Sequence, residues 1–146
     1  MNWHALPAAG LLCGLVLFVV GAAFHILAPF AAPHLASEYR NEAIFRPWSG
    51  WTRAYMIAHP WLYGAIFASV YFAIRAMTGS NTLDGATAGL IYGLGVFVVG
   101  SLPVYALNFA SFQVSPAVVS VWILQSLFQY TLAGLVLGWY CARTVD

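Results

Sequence analysis

Long uncharged runs, broken by short polar stretches, organise this chain. Four apolar stretches lie at about 6–28, 53–76, 85–109 and 118–142. Each approaches or exceeds the ~20 residues needed to cross a ~30 Å hydrocarbon core. Lipid offers no partner for a free backbone N–H or C=O, so such spans fold as helices. A barrel strand would alternate apolar and polar positions, and Leu11-Leu12-Cys13-Gly14-Leu15-Val16-Leu17-Phe18-Val19-Val20 shows no alternation. The pattern predicts an all-α fold: one integral membrane domain over 1–146, built as an antiparallel bundle of four transmembrane helices.

The stretches between the spans refine this layout. No Lys or Arg precedes Glu38, and Pro33 sits just past any cut after Phe30-Ala31-Ala32. The first span therefore reads as a retained helix rather than a secretion signal. Loops at about 77–84 and 110–117 are short, so consecutive helices are expected to be antiparallel neighbours. Thr78-Gly79-Ser80-Asn81 is turn chemistry. Ser115-Pro116 reads as an N-cap followed by proline at the first helical position. The first loop, about 29–52, is too long to be structureless in a compact domain. Pro33 is expected to open a short interfacial helix and Pro47 to close it. His34, Glu38 and Glu42 then fall four apart on one face, and Leu35, Tyr39 and Ala43 on the next, which suits a helix lying on the membrane surface. Glu42 and Arg46 are spaced to pair. Trp3, Trp139 and Tyr140 anchor one interface and Trp48, Trp51, Trp61 and Trp122 the other. Arg40, Arg46 and Arg53 on one side face Arg75 and Arg143 on the other, too even a split to fix orientation.

Composition agrees. The chain is 62% apolar and 6% charged with net charge +1, whereas a soluble domain carries roughly a quarter charged residues. With no lysine there is no basic field for nucleic acid and no phosphate-binding G-x-x-x-x-G-K-[ST] loop. H-E-x-x-H, C-x-x-C and G-x-S-x-G are also absent from the sequence, so no enzyme activity is expected. A channel or pump usually carries a charged group within a span. Here the ionisable side chains clearly inside a span are His, Tyr and Cys. Cys13 and Cys141 read as two small apolar core residues.

Two sets of residues stand out within the spans. Small residues recur at spacing four: Gly10 and Gly14; Gly85, Gly89 and Gly93; Gly134 and Gly138. Such stripes let helix backbones approach closely, and they are expected to divide between this bundle and another protein. The second set is polar: His25, His59, Asn108, Gln125 and Gln129. With a rise of 1.5 Å per residue, His25 and His59 fall roughly 6–10 Å below the first-loop face, and each helix contributes to one layer. Pro60 and Pro103 each free a carbonyl one turn earlier. Buried polar groups in a membrane call for a functional hypothesis. Three chemistries are open: axial ligation of haem iron by His25 and His59, a transition metal held by them with Glu38 or Glu42, and proton relay. The plain alternative, which is preferred, is that these side chains hydrogen-bond across helices and fix their register. His34 and Glu38 also have the i,i+4 spacing of two metal ligands, although a solvated helix face looks the same. His4 reads as a headgroup-level anchor.

Gly14-x-x-x-Phe18-x-x-Gly21-x-x-x-His25-x-x-x-Pro29 resembles the first helix of small uncharacterised bacterial four-helix membrane proteins of the domain-of-unknown-function type. The resemblance implies a bacterial inner-membrane location and carries no assigned activity. The functional expectation is a non-enzymatic accessory subunit packed against a larger respiratory or photosynthetic membrane complex. Its partners would be the lipid bilayer and other subunits or a second copy. It would have no cofactor of its own, and bound lipid or pigment would come only through the complex. The alternatives are a haem- or metal-binding protein using His25 and His59, and a small oligomeric transporter working around Pro60 and Pro103.

Overall fold

The computed structural model describes residues 3–78 and 85–144, and among them no strand occurs. After a single 3₁₀ turn, Trp3–Ala5, come α1 (Leu6–Ala31), α2 (His34–Glu38), α3 (Gly50–Thr78), α4 (Gly85–Val96), a π-helical turn (Phe97–Ser101), α5 (Leu102–Ser111) and α6 (Pro116–Thr144). Four helices, 3–31, 50–78, 85–111 and 116–144, are long and apolar enough to cross a membrane. Each runs past the apolar stretch that marks it. A helix satisfies its own backbone and need not stop where the hydrocarbon does.

Register fixes the antiparallel order. Gly10 lies over Ala65 and Gly14 over Trp61, so α1 and α3 run oppositely. Gly89 meets Gly134 while Gly93 meets Tyr130, so α4 opposes α6. Cys13 lies against the Ala133 carbonyl and Leu17 against Gln129, so α1 opposes α6 as well.

The glycine stripes make these crossings within the chain. A Cβ on Gly89 would lie 1.9 Å from the Gly134 oxygen, and one on Gly93 2.1 Å from the Tyr130 oxygen. Gly10 and Gly14 receive α3 at Gly64, where a Cβ would lie 2.3 Å from the Gly14 nitrogen and 2.6 Å from the Gly10 oxygen. Gly85 differs from its stripe. It starts α4 at φ +61°, a left-handed conformation that suits glycine, and it is its carbonyl that abuts Gly138.

The main core fills the end of the bundle near the termini. Ala9, Cys13 and Leu17 meet Phe67, Ala68 and Phe72 of α3 and Ala133, Leu137 and Cys141 of α6. Both thiols are buried, as expected of small apolar core residues. At the other end the second and third spans stand apart. No residue from Gly50 to Ala58 is buried, and α5 buries none. Higher up, α3 and α4 meet through aromatic side chains: the Phe67 and Tyr92 rings lie 4.6 Å apart, tilted by 52°, and the Tyr92 hydroxyl donates to the Phe67 carbonyl at 2.8 Å.

The first loop departs from expectation. Pro33 opens a helix, but α2 ends at Glu38 rather than running to Pro47. Asn41 stops it: its side-chain oxygen accepts from the Ala43 N–H at 3.0 Å, and its carbonyl accepts from Ile44 and Phe45 at 3.0 and 2.8 Å. Asparagine competes with helical hydrogen bonding in this way. Glu42 is consequently exposed in a turn, and Arg46 lies over the Trp51 ring at 5.9 Å instead of pairing with it. The 79–81 part of the expected turn after the second span lies outside the described residues. At the third loop, the Ser115 hydroxyl accepts from the Val118 N–H at 3.3 Å, which makes it the N-cap of α6.

Candidate functional site

Two abutting cavities occupy the splayed half of the bundle. One, of about 430 Å³, is walled by His59, Pro60 and Tyr63 of α3, by Gly100 and Ser101 of the π-helical turn, by Val104 and Tyr105 of α5, and by Gln125, Ser126, Gln129 and Tyr130 of α6. The other, of about 480 Å³, lies between Phe18, Gly21, Phe24 and His25 of α1, Met56 and Ile57 of α3, and Val121 and Trp122 of α6, with Tyr39, Phe45 and Trp48 of the first loop over it. Leu17, His59, Pro60, Gln125 and Gln129 border both. The first has walls of mixed polarity that carry hydroxyls and amides, the second has mostly apolar, aromatic-rich walls, and the His59–Gln125–Gln129 layer lies between them.

Each polar side chain has an identifiable support. Gln129 Nε2 donates to the Leu17 carbonyl at 2.6 Å. Gln125, one turn earlier on α6, directs its amide nitrogen at Gln129 Oε1, 3.5 Å away. His59 Nδ1 lies 3.3 Å from the Tyr55 carbonyl, and the ring stacks on Tyr55 at 5.6 Å and meets the edge of Tyr63 at 5.8 Å. His25 stacks on Trp48 at 4.9 Å with 16° between planes. On the far wall stand two Ser-x-x-x-Tyr pairs, Ser101 with Tyr105 and Ser126 with Tyr130. The Tyr105 hydroxyl bonds Ser126 across the two helices.

The first loop closes the aromatic half. Glu38 Oε1 accepts from the Ser115 N–H at 2.7 Å, tying α2 to the start of α6. A carboxylate is favoured at a helix N-terminus. Beside it, burial pushes the Tyr39 phenol above its ordinary pKa of 10.0; a hydrogen bond from Trp122 opposes the rise and the Glu38 charge adds to it.

Of the five residues expected to form one polar layer, the structure brings together four: His25, His59, Gln125 and Gln129. Asn108 lines neither cavity, and its carbonyl accepts from the Phe112 N–H at 2.9 Å at the end of α5. The π-helical turn explains this. It inserts an extra residue into the third span and turns everything beyond it by roughly 100° relative to an unbroken helix. Pro103, just after it, brings no N–H for the Val99 carbonyl. Tyr63, Ser101, Tyr105, Ser126 and Tyr130 belong to the site and were not anticipated. The matched spacing Ser101–Tyr105 and Ser126–Tyr130 on two neighbouring helices was the available signal.

The carboxylates expected near the histidines lie elsewhere. Glu38 caps α6, and His34 is exposed, with its carbonyl accepting the Ser37 hydroxyl at 2.7 Å. Among the described residues no group of three or more His, Cys, Asp and Glu is placed to hold a metal ion. What the arrangement offers is an amphipathic enclosure, with aromatic surface on one side of a histidine–amide layer and hydroxyls on the other. Comparison of the chain with family models, curated proteins and solved structures finds no match.

Proposed function

We propose that this protein binds a small amphipathic molecule within the membrane, in the paired cavities of the splayed half of its bundle. The observation that supports this is the division of the cavities: about 480 Å³ within mostly apolar, aromatic-rich walls and about 430 Å³ within walls of mixed polarity, sharing His59, Gln125 and Gln129. A ligand site is commonly an apolar concavity of this size with a few convergent polar groups. Exposed Tyr63 and Val104 flank the polar half, so an apolar solute can enter from the lipid between α3 and α5. In this reading the protein sits in a bacterial inner membrane, the location the resemblance of its first helix implies, and binding is non-enzymatic. The test is tryptophan emission of the purified protein in nanodiscs during titration with small amphipathic aromatic compounds. Saturable change that is lost when Ala22→Trp fills the aromatic cavity supports the reading. A panel that never saturates counts against it.

A second reading, the accessory subunit of a larger membrane complex, is favoured by a different observation. In the third span 11% of the most apolar stretch is buried within the chain, against 22 to 33% in the others. Such a bare face meets lipid or another membrane protein. Gentle extraction followed by native electrophoresis separates the two: a protein that always runs alone as a monomer removes this reading.

A further inference from the structure

The layer dividing the two cavities offers hydrogen-bond acceptors. One N–H of Gln129 Nε2 goes to the Leu17 carbonyl at 2.6 Å and one of Gln125 Nε2 turns to Gln129 Oε1 at 3.5 Å, which leaves each amide a second N–H and leaves Gln125 Oε1 as an acceptor. His59 Nδ1 sits 3.3 Å from the Tyr55 carbonyl. A carbonyl only accepts, so Nδ1 donates to it, and in that tautomer Nε2, at the opposite edge of the ring, is the acceptor. Pro60 supplies no N–H for the Met56 carbonyl, and Met56 lines the aromatic cavity. Pro103 supplies none for Val99, next to Gly100 and Ser101 of the polar cavity. The Tyr105–Ser126 hydroxyl pair can turn either way. An Nε2 acceptor on the border of both cavities suits a ligand hydroxyl that donates. The neighbouring half suits a flat ring: His25 and Trp48 already stack there at 4.9 Å, and Phe45 meets Trp122 edge-on at 6.1 Å.

We infer that the ligand is a lipophilic ring alcohol or phenol, its hydroxyl donating to His59 Nε2 and its apolar body lying among Phe24, Phe45, Trp48 and Trp122. This rests on the paired cavities being a small-molecule site, and the experiment separates the two. Protein in phosphatidylcholine nanodiscs is titrated with 4-hexylphenol and, separately, with its methyl ether 4-hexylanisole, while tryptophan emission is followed. The ether keeps the shape and loses the donor. The phenol is expected to saturate at about tenfold lower concentration, the equivalent of one net hydrogen bond. His59→Phe should bring the two midpoints together. His59→Gln, whose amide oxygen still accepts, should restore part of the difference. If phenol and ether bind equally well to the unmodified protein and Ala22→Trp abolishes both, the small-molecule site stands and the donor-ligand inference falls. If neither probe saturates, or Ala22→Trp changes nothing, the site itself is wrong and the inference goes with it.

Discussion

Gln129 sets its amide nitrogen in the space that a side chain on Gly21 would occupy: a Cβ there would lie 2.9 Å from Nε2. From that position it donates to the Leu17 carbonyl at 2.6 Å and locks α1 to α6 at the depth of the cavities. Gly21→Ala should displace the amide and weaken this lock. Interhelical hydrogen bonds in membranes contribute on the order of 0.6–2 kcal/mol, so a loss of about 1 kcal/mol is expected in denaturant titration of the purified protein. Gln129→Leu should cost a similar amount. The double variant should cost clearly less than the sum, because both changes remove one interaction. Additive losses would mean that Gly21 has some other role.

The glycines of the crossings can be told apart by what stands opposite them. At Gly64 a Cβ meets backbone, 2.3 Å from the Gly14 nitrogen, and neither helix can give way locally. Gly64→Ala should therefore force α1 and α3 apart, at about 1–3 kcal/mol as for other overpacked sites. Gly95 has nothing within 4 Å. Gly95→Ala should be neutral or stabilising, by up to about 1 kcal/mol, since alanine is the better helix former. Thermal unfolding of the two variants side by side tests the contrast. Equal melting points would refute the crossing geometry.

The spans were legible because their signal is composition over ~20 residues, which tertiary context rarely overrides. Helix order and direction followed from the short loops. Gly64 escaped notice because its partner at spacing four is Ala68 rather than another glycine, although small-x-x-x-small serves the same close approach. Asn108 was misplaced because it was assigned by depth alone, and depth does not say which way a side chain faces; the π-helical turn before it rotates the end of the third span. The hydroxyl of Tyr105 was passed over because tyrosine in a span is ordinarily an interface anchor. Its role depends on Ser126, which only antiparallel packing brings opposite.

Tyr39 gives the first loop a pH dependence. Burial raises its pKa above 10.0, and the Glu38 charge adds to the rise. A group whose folded pKa lies above the unfolded value supports the fold fully below the unfolded pKa and loses that support as pH climbs through the folded one. The wild type should thus match or exceed Tyr39→Phe in stability near neutrality and lose ground to it only above about pH 10. The measurement is melting temperature against pH for the two proteins. A difference that stays constant as pH rises through that range would contradict the burial of Tyr39.

Glu38 should be worth more as a cap than as a charge on the surface. Its carboxylate accepts the Ser115 N–H at 2.7 Å, at the start of α6 where orphan N–H groups gather. Glu38→Ala is expected to cost about 1 kcal/mol, the usual scale of a lost N-terminal cap. The loss should also be felt in the roof of the aromatic cavity, because α2 is short and holds Tyr39 directly after it. Hydrogen exchange of the Ser115 amide and of residues 39–48 should rise together in this variant, while exchange within the Ala9–Cys13 part of α1 stays as it was. Faster exchange at Ser115 alone would show that the cap holds α6 but not the roof.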